Sequence, residues 1–215
     1  MGRTALFGGS FNPIHYGHLL LADEVREHLA LDRVVFMPAA VPPHKPVTDL
    51  APAPDRHAMV QRAIAGNPAF EASDLELCRP GPSYTIDTLE AMALPRAELF
   101  LLIGSETFLD LLSWREPRRI AARCRLVVVP RTGSVFDPEG AAARKVMREI
   151  GGEGFVTPEI GAPPAHGVIL VRATSLPISA SDLRARAAAR RSLAYRVPPS
   201  VARYISDRHL YGWPG

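Results

Sequence analysis

The sequence predicts an α/β fold in which an open parallel sheet carries helices on both faces. Apolar runs alternate with amphipathic segments along the chain, the order typical of β-α-β units. Residues 99–103 and 126–129 are continuously apolar, as expected of strands that are covered on both sides. A chain of 215 residues is long enough for one well-packed core and short for two. We therefore expect a single domain over residues 1–215.

The same patterns place the individual elements along the chain. Short apolar runs predict six strands, and amphipathic spacing predicts seven helices. Asp55 and Ser181 are expected to cap the helices that they begin. The predicted strands span residues 4–7, 33–37, 70–72, 99–103, 125–129 and 168–171, and the predicted helices span 16–29, 55–65, 85–92, 106–112, 138–150, 181–189 and 199–207.

Composition narrows the class of protein without deciding its function. The net charge of +3 suits anionic small substrates as well as nucleic acids, so charge excludes neither. The two cysteines, Cys78 and Cys124, are far apart and form no C-x-x-C pair, which indicates free thiols and a reducing compartment. No signal-peptide pattern and no apolar run of bilayer length is present. We therefore expect a cytoplasmic protein without a membrane partner.

The first candidate site is the turn Gly8-Gly9-Ser10-Phe11, which lies between the first predicted strand and the first predicted helix. A turn that leads into a helix start presents free backbone N–H groups together with the positive end of the helix dipole. Phosphate groups bind well at such a position. The sequence therefore predicts a phosphate site at the end of the first strand.

Two histidines begin the helix that follows this turn. His15 and His18 are three residues apart, so both can reach one ligand, and Gly17 between them lets that ligand lie close to the backbone. Alternatively, the pair simply caps the helix. A zinc-protease helix is excluded because it needs histidines four residues apart with a glutamate between them.

The second candidate site lies near the C-terminus. Ser179 and Ser181 stand where a helix is expected to begin, so hydroxyl and N–H groups can face one anion. Arg184 follows about one turn later, and its planar guanidinium can reach the same anion. A serine-capped surface helix with solvated arginines is the alternative interpretation.

A long proline-rich loop over residues 38–54 follows the second predicted strand. Irregular segments of this length in compact domains are usually functional or disordered. The carboxyl end of a strand in an open α/β sheet is where ligands bind, beside the glycine turn. Position therefore favours a functional loop.

Both candidate sites resemble motifs of the nucleotidyltransferase superfamily. The glycine turn followed by His-x-Gly-His resembles its first signature. The segment from Ile178 to Arg184 is similar to the second motif, Ile-Ser-Ser-Thr-x-x-Arg. Ala180 replaces the second serine and Ser181 replaces the threonine, so a hydroxyl and the arginine remain in register.

Further matches extend the resemblance over about residues 3–211 and specify the branch. In their order along the chain, they are similar to those of bacterial nicotinate mononucleotide adenylyltransferases. The matching segments are Pro42-Pro43-His44-Lys45, Arg56 with Met59, residues 83–89, residues 103–106 with Trp114, residues 197–205, and Leu210-Tyr211.

This resemblance implies a Rossmann-like fold and a reaction. ATP and nicotinate mononucleotide would give nicotinate adenine dinucleotide and pyrophosphate, by in-line attack without a covalent intermediate. Mg²⁺ would be carried by the ATP phosphates, with no metal site of the protein's own. The C-terminal part, about residues 175–215, would be helical and close the phosphate site.

The resemblance also assigns residues to roles. Glu106 stands where the family has aspartate for the ribose hydroxyls, and its longer side chain would need a shifted backbone. The resemblance divides the site residues into three groups, which are catalytic, ATP-binding and mononucleotide-binding. The catalytic group is His15, His18 and Arg184; the ATP-binding group is Gly8, Gly9, Ser10, Phe11, Gly17, Gly104, Glu106, Ser179 and Ser181; the mononucleotide-binding group is Lys45, Ser83, Tyr84, Thr85, Trp114 and Arg131.

Several alternatives remain open at this point. A phosphopantetheine adenylyltransferase or an enzyme that prefers nicotinamide mononucleotide would share both phosphate motifs. A class I aminoacyl-tRNA synthetase also uses His-x-Gly-His, but it needs a much longer chain. A non-catalytic nucleotide sensor or an RNA-binding protein would use the arginine-rich residues 184–196 and bind in a salt-dependent way. We expect no nucleic-acid partner, and a homo-oligomer is neither predicted nor excluded.

Overall fold

The computed structural model describes residues 2–43, 50–130 and 135–214. Strands and helices alternate through most of this length. The strands are β1 (Thr4–Gly9), β2 (Arg33–Pro38), β3 (Phe70–Ala72), β4 (Leu99–Gly104), β5 (Arg125–Val129), β6 (Phe155–Val156) and β7 (Val168–Leu170). The helices are α1 (Tyr16–His28), α2 (Ala53–Ile64), α3 (Thr85–Ala91), α4 (Ser105–Leu109), α5 (Pro117–Arg123), α6 (Ala141–Ile150), α7 (Ala180–Ala188) and α8 (Pro199–Asp207).

Within the described residues the strands form one seven-stranded sheet in the order β3-β2-β1-β4-β5-β7-β6. All the paired strands run parallel. The chain builds outward from β1 through β2 to β3, then returns to the other side of β1 with β4. This reversal of strand order between β1 and β4 is the topological switch point of a Rossmann-like fold. The predicted fold class is confirmed.

The apolar core lies in two layers, one on each face of the sheet. One layer joins alternate residues of the central strands, such as Phe100 and Val127, to α1, α2, α7 and α8. The other joins the intervening residues, such as Leu101 and Leu126, to α3, α4, α5 and α6. Because neighbouring strand residues point to opposite faces, strands covered on both sides are apolar at every position.

Two short elements were not predicted. Helix α5 has only seven residues, four of them arginine or proline, and buries a single side chain, Ile120. Strand β6 has two residues and pairs only with β7. Neither is long enough to produce a periodic pattern, so packing against the rest of the fold determines both.

Both predicted helix caps were wrong. Helix α2 starts at Ala53, because a proline is tolerated in the first turn, where its missing N–H costs nothing. Asp55 therefore lies inside the helix, where its carboxylate accepts a 2.8 Å hydrogen bond from the Tyr204 hydroxyl. In α7 the cap is Ser179, whose hydroxyl accepts the Asp182 N–H at 3.4 Å, and Ser181 lies within the first turn.

The two cysteines are both free and have opposite environments. Cys78 is exposed, whereas Cys124 is buried and its thiol donates to the Ile120 carbonyl at 3.2 Å. Burial raises the pKa of the Cys124 thiol to about 12, because the thiolate would lose its hydration.

We expect only one of these thiols to react in the folded protein. Reaction with dithiobisnitrobenzoate at pH 8 should release one equivalent of nitrothiobenzoate per native protein molecule and two equivalents per molecule in denaturant. The variant Cys78→Ser should release none until it unfolds. Rapid reaction of native Cys78→Ser would show that Cys124 is accessible.

Within the described ranges, every helix is too short or too polar to span a bilayer.

Candidate active site

The site lies at the carboxyl ends of β1 and β4, where the switch point opens a crevice. Pairing between β1 and β4 ends at Leu6 and Leu101, whereas β1 stays paired with β2 as far as Gly9 and Pro38. The last residues of β1 therefore have a strand on one side only. The phosphate turn (residues 8–11) lies at this open end of β1, with Gly8 exposed and Gly9 and Ser10 half-buried.

Phe11 anchors the phosphate turn in the core. Its backbone is left-handed, with φ of 43°, and its ring is buried. The ring lies 5.5 Å from that of Phe7, 5.8 Å from that of Phe36 and 5.2 Å from that of His18. The turn thus has an aromatic floor that also contacts one of the two histidines, and the Phe11 side chain itself faces the protein interior.

The two histidines are stacked on each other at the start of α1. Their ring centroids are 3.7 Å apart, and His15, the residue before the helix, is only 7% exposed. The His15 main-chain N–H donates to Nδ1 of His18 at 3.3 Å. Because Nδ1 accepts, the proton of the neutral His18 ring is on Nε2, which leaves an N–H donor on the opposite edge of the ring.

Gly17 has a reason within the protein to be glycine. A Cβ atom there would lie 3.1 Å from the His15 ring and 3.8 Å from the Leu176 carbonyl oxygen. A side chain would therefore displace the His15 ring from its stack on His18. The structure thus gives this glycine a role within the protein, space for the His15 ring, and its predicted role in admitting a ligand stays a prediction.

The second phosphate motif meets the first. Ser179 and Ser181 share a hydrogen bond of 2.6 Å between their hydroxyls at the start of α7. One turn later, Nη1 of Arg184 donates to the Asn12 carbonyl at 3.0 Å. Asn12 follows the phosphate turn directly, and its side-chain oxygen accepts the Ala51 N–H at 3.0 Å. The C-terminal motif is therefore held against the phosphate turn by a direct bond.

Glu106 lies across the crevice from this turn. Gly104 ends β4 and caps α4, in whose first turn the exposed Glu106 is placed. A carboxylate oxygen of Glu106 lies 3.5 Å from the position that a Cβ of Gly104 would occupy. The side chain thus turns back over the end of β4, toward the crevice, without an irregularity of the strand.

The predicted mononucleotide residues divide by position. The Ser83 hydroxyl accepts the N–H groups of Ala40 and Val41 at 3.0 and 3.2 Å, so it contacts the loop after β2. Tyr84 caps α3, and its ring lies 4.9 Å below the Arg115 guanidinium. Thr85 is the first residue of α3. Trp114 is half-buried and directly precedes Arg115.

Two predicted residues, Lys45 and Arg131, lie outside the described residues. Their roles stay predictions.

Two buried charges in this region were not identified as functional from the sequence. From the sequence, Arg56 was named only as part of the family resemblance, and Glu76 was not named. Burial lowers the pKa of Arg56, partly offset by Tyr211 and Glu76. Burial raises the pKa of Glu76, against hydrogen bonds from Thr88 and Ser83 and the charges of Arg79 and Arg56. Charged residues on a helix, such as Arg56, or in a turn, such as Glu76, are typically exposed, so no local pattern marks either one.

Metal ligands are not clustered in the part of the chain that the structure describes: no three His, Cys, Asp or Glu side chains come together there.

Comparison with known proteins agrees with this geometry. The model of the cytidylyltransferase-like family matches residues 6–186. Since this is most of the chain, the protein belongs to the cytidylyltransferase-like family.

Curated relatives narrow the class. A probable nicotinate-nucleotide adenylyltransferase of Pelobacter propionicus is 44% identical, covering 97% of this chain and 98% of the relative. One of Geobacter sulfurreducens is 40% identical, covering 99% and 100%. Among solved structures, Plasmodium falciparum nicotinic acid mononucleotide adenylyltransferase complexed with NaAD superposes with a TM-score of 0.74 at 18% identity, over 100% of this chain and 99% of that one. The chain is thus similar to probable nicotinate-nucleotide adenylyltransferases over nearly their full length, and the solved structure has the same fold.

Proposed function

We propose that the protein transfers the adenylyl group of MgATP to nicotinate mononucleotide, a step of NAD biosynthesis. The bond from Arg184 to the Asn12 carbonyl carries this conclusion, because it unites two phosphate-recognising motifs in one site. A phosphate oxygen of the mononucleotide attacks the α-phosphorus of ATP. The new O–P bond forms as the bond to the β-phosphate oxygen breaks, and pyrophosphate leaves. The attacking phosphate is already ionised near neutral pH, so no general base is needed.

The phosphate turn and α1 bind the triphosphate in this mechanism. Gly8 is exposed, and a Cβ there would meet no atom within 4 Å, so packing alone does not require glycine. A ligand lying against the backbone of Gly8, Gly9 and Ser10 supplies the missing reason. His15 and His18 stabilise charge on the α-phosphoryl group, with the Nε2–H of His18 as a donor.

The C-terminal motif stabilises the leaving group. Arg184 adds a planar, permanently charged donor, and the hydroxyls of Ser179 and Ser181 lie at the start of the same helix. Magnesium enters with ATP as part of the substrate and offsets the triphosphate charge. Catalysis then consists of positioning and electrostatic stabilisation, as is usual for phosphoryl-group chemistry.

The two nucleoside portions lie on the remaining sides of the crevice. Gly104 leaves space for the ribose of the adenosine. The hydroxyls of that ribose donate hydrogen bonds to the exposed Glu106 carboxylate. On the other side, Trp114 stacks on the pyridine ring, with Tyr84 and Thr85 beside the nicotinate carboxylate. Ser83, Lys45 and Arg131 also bind the mononucleotide. The two cations, Lys45 and Arg131, neutralise the phosphate of the mononucleotide.

We further propose that residues 1–215 act as one domain, with residues 175–215 closing the phosphate site, and that the enzyme works in the cytoplasm. Two free cysteines suit a reducing compartment. The substrates are small anions, and we assign no nucleic-acid or membrane partner.

Pyrophosphate release tests the reaction. Purified protein with MgATP is assayed in parallel with nicotinate mononucleotide and with its amide. We expect the acid to be preferred by roughly 10- to 100-fold in kcat/KM, the effect of one or two hydrogen bonds to a charged group. A preference for the amide would contradict the substrate assignment, and folded protein silent with both would contradict the reaction.

A further inference from the structure

Arg56 joins three separate segments of the main chain. The side chain is 1% exposed and lies beneath the crevice, on α2. Its Nε donates to the Ala51 carbonyl at 2.8 Å, its Nη1 to the Ser10 carbonyl at 2.9 Å and its Nη2 to the Ala40 carbonyl at 3.3 Å. All three nitrogens of one guanidinium are thus used on backbone acceptors.

Two of these acceptors belong to opposite halves of the site. Ser10 is in the phosphate turn, and Ala40 begins the loop that leads toward Lys45. Ser83 holds the same loop from the other side, through its hydroxyl to the N–H groups of Ala40 and Val41 and through its own N–H to the Val41 carbonyl at 2.9 Å. Arg56 links this held loop to the phosphate turn through its side chain, in addition to the main-chain bond from the Ala39 N–H to the Gly9 carbonyl at 2.9 Å.

A second buried charged group, Glu76, lies in the same region and partly offsets the effect of burial on the pKa of Arg56. Glu76 is 7% exposed, and its carboxylate accepts a hydrogen bond from the Thr88 hydroxyl at 2.6 Å. The same hydroxyl accepts a hydrogen bond from Nη2 of Arg79 at 3.1 Å. The carboxylate also attracts Arg56 and bonds to Ser83. Burying ions is costly even when they are paired, and apolar residues often stabilise a core better. The arrangement is therefore better explained by geometry than by stability.

We propose that Arg56 is a positioning residue that sets the distance and orientation between the phosphate turn and the start of the loop after β2 (residues 39–43), which we call the mononucleotide loop. This inference rests on the proposed function, in which the two halves hold the two reactants. An in-line attack needs the incoming phosphate oxygen aligned with the bond that breaks, and an error of about 1 Å costs about 10²-fold in rate. Lysine cannot replace Arg56 in this role, because an ammonium has no planar fork to reach three carbonyls at once.

The test compares Arg56→Lys with Arg62→Lys, a matched control at an exposed position of the same helix. We expect Arg56→Lys to lower kcat by about 10²-fold. Its Kd for MgATP, measured calorimetrically without mononucleotide, should change less than about fivefold, since the phosphate turn itself is retained. Arg62→Lys should match the wild type in both. A loss of stability alone would instead reduce the active fraction and leave the kcat of the folded fraction unchanged.

A second variant keeps the inference testable if Arg56→Lys does not fold. Ser83→Ala releases the same loop while leaving Arg56 in place, and should lower kcat by about tenfold, the effect of losing one or two hydrogen bonds. Wild-type kcat in folded Arg56→Lys, or in Ser83→Ala when only that variant folds, would overturn the positioning role. Inactivity of the wild type with both mononucleotides would overturn the proposed function, a distinct outcome.

Discussion

Replacing His18 by alanine is expected to lower kcat by about 10²–10³-fold, the usual cost of removing one preorganised donor to a developing charge. The ring is fixed on three sides: it stacks on His15, contacts Phe11 and accepts the His15 N–H on Nδ1. Its Nε2–H therefore needs no reorganisation as the reaction proceeds. Alanine removes the donor together with the interactions that orient it.

Steady-state assays with MgATP and nicotinate mononucleotide measure this effect, with circular dichroism to confirm the fold. His28→Ala, in the last turn of the same helix, is the matched control and should retain wild-type kcat. Turnover of His18→Ala within a few-fold of the wild type would rule out the assigned role of the helix start.

Replacing Arg184 by methionine should lower kcat/KM for MgATP by about 10²–10³-fold as well. The side chain is held beside the phosphate turn by its bond to the Asn12 carbonyl, so the guanidinium needs little reorientation to donate to a phosphate bound there. Methionine keeps much of the apolar stem but removes all charge. The kcat/KM of Arg184→Lys should lie between the values of the wild type and of Arg184→Met, since lysine supplies the charge without the planar fork.

Arg186 provides the control for this experiment. It lies two residues further along α7 and donates Nε and Nη2 to the Ser192 carbonyl, at 3.0 and 2.8 Å. Arg186→Met removes an equal charge from the same helix and should leave kcat/KM within about twofold, because this guanidinium is bonded to the Ser192 carbonyl and not to the phosphate turn. Equal losses in both variants would indicate general electrostatic attraction of ATP instead of a specific contact.

Much of the fold was predictable because its signals are local. Continuous apolar runs identified the central strands, and helical spacing located α1 and α8 to within one residue at either end. The phosphate turn was predictable for the same reason, since strand, glycine turn and helix start occupy one stretch of chain. Elements without a local signal, such as α5 and β6, were missed.

The sequence by itself therefore determined the α/β class and the strand-turn-helix at residues 4–28, and it predicted phosphate chemistry for both motifs. Only the tertiary structure decided that Arg184 reaches a carbonyl 172 residues away, that Gly17 makes room for His15, and that Arg56 is buried between two loops. Local spacing encodes periodicity, whereas these contacts depend on strand order and packing. A charged side chain becomes a buried connector only where the sheet brings distant carbonyls within its reach.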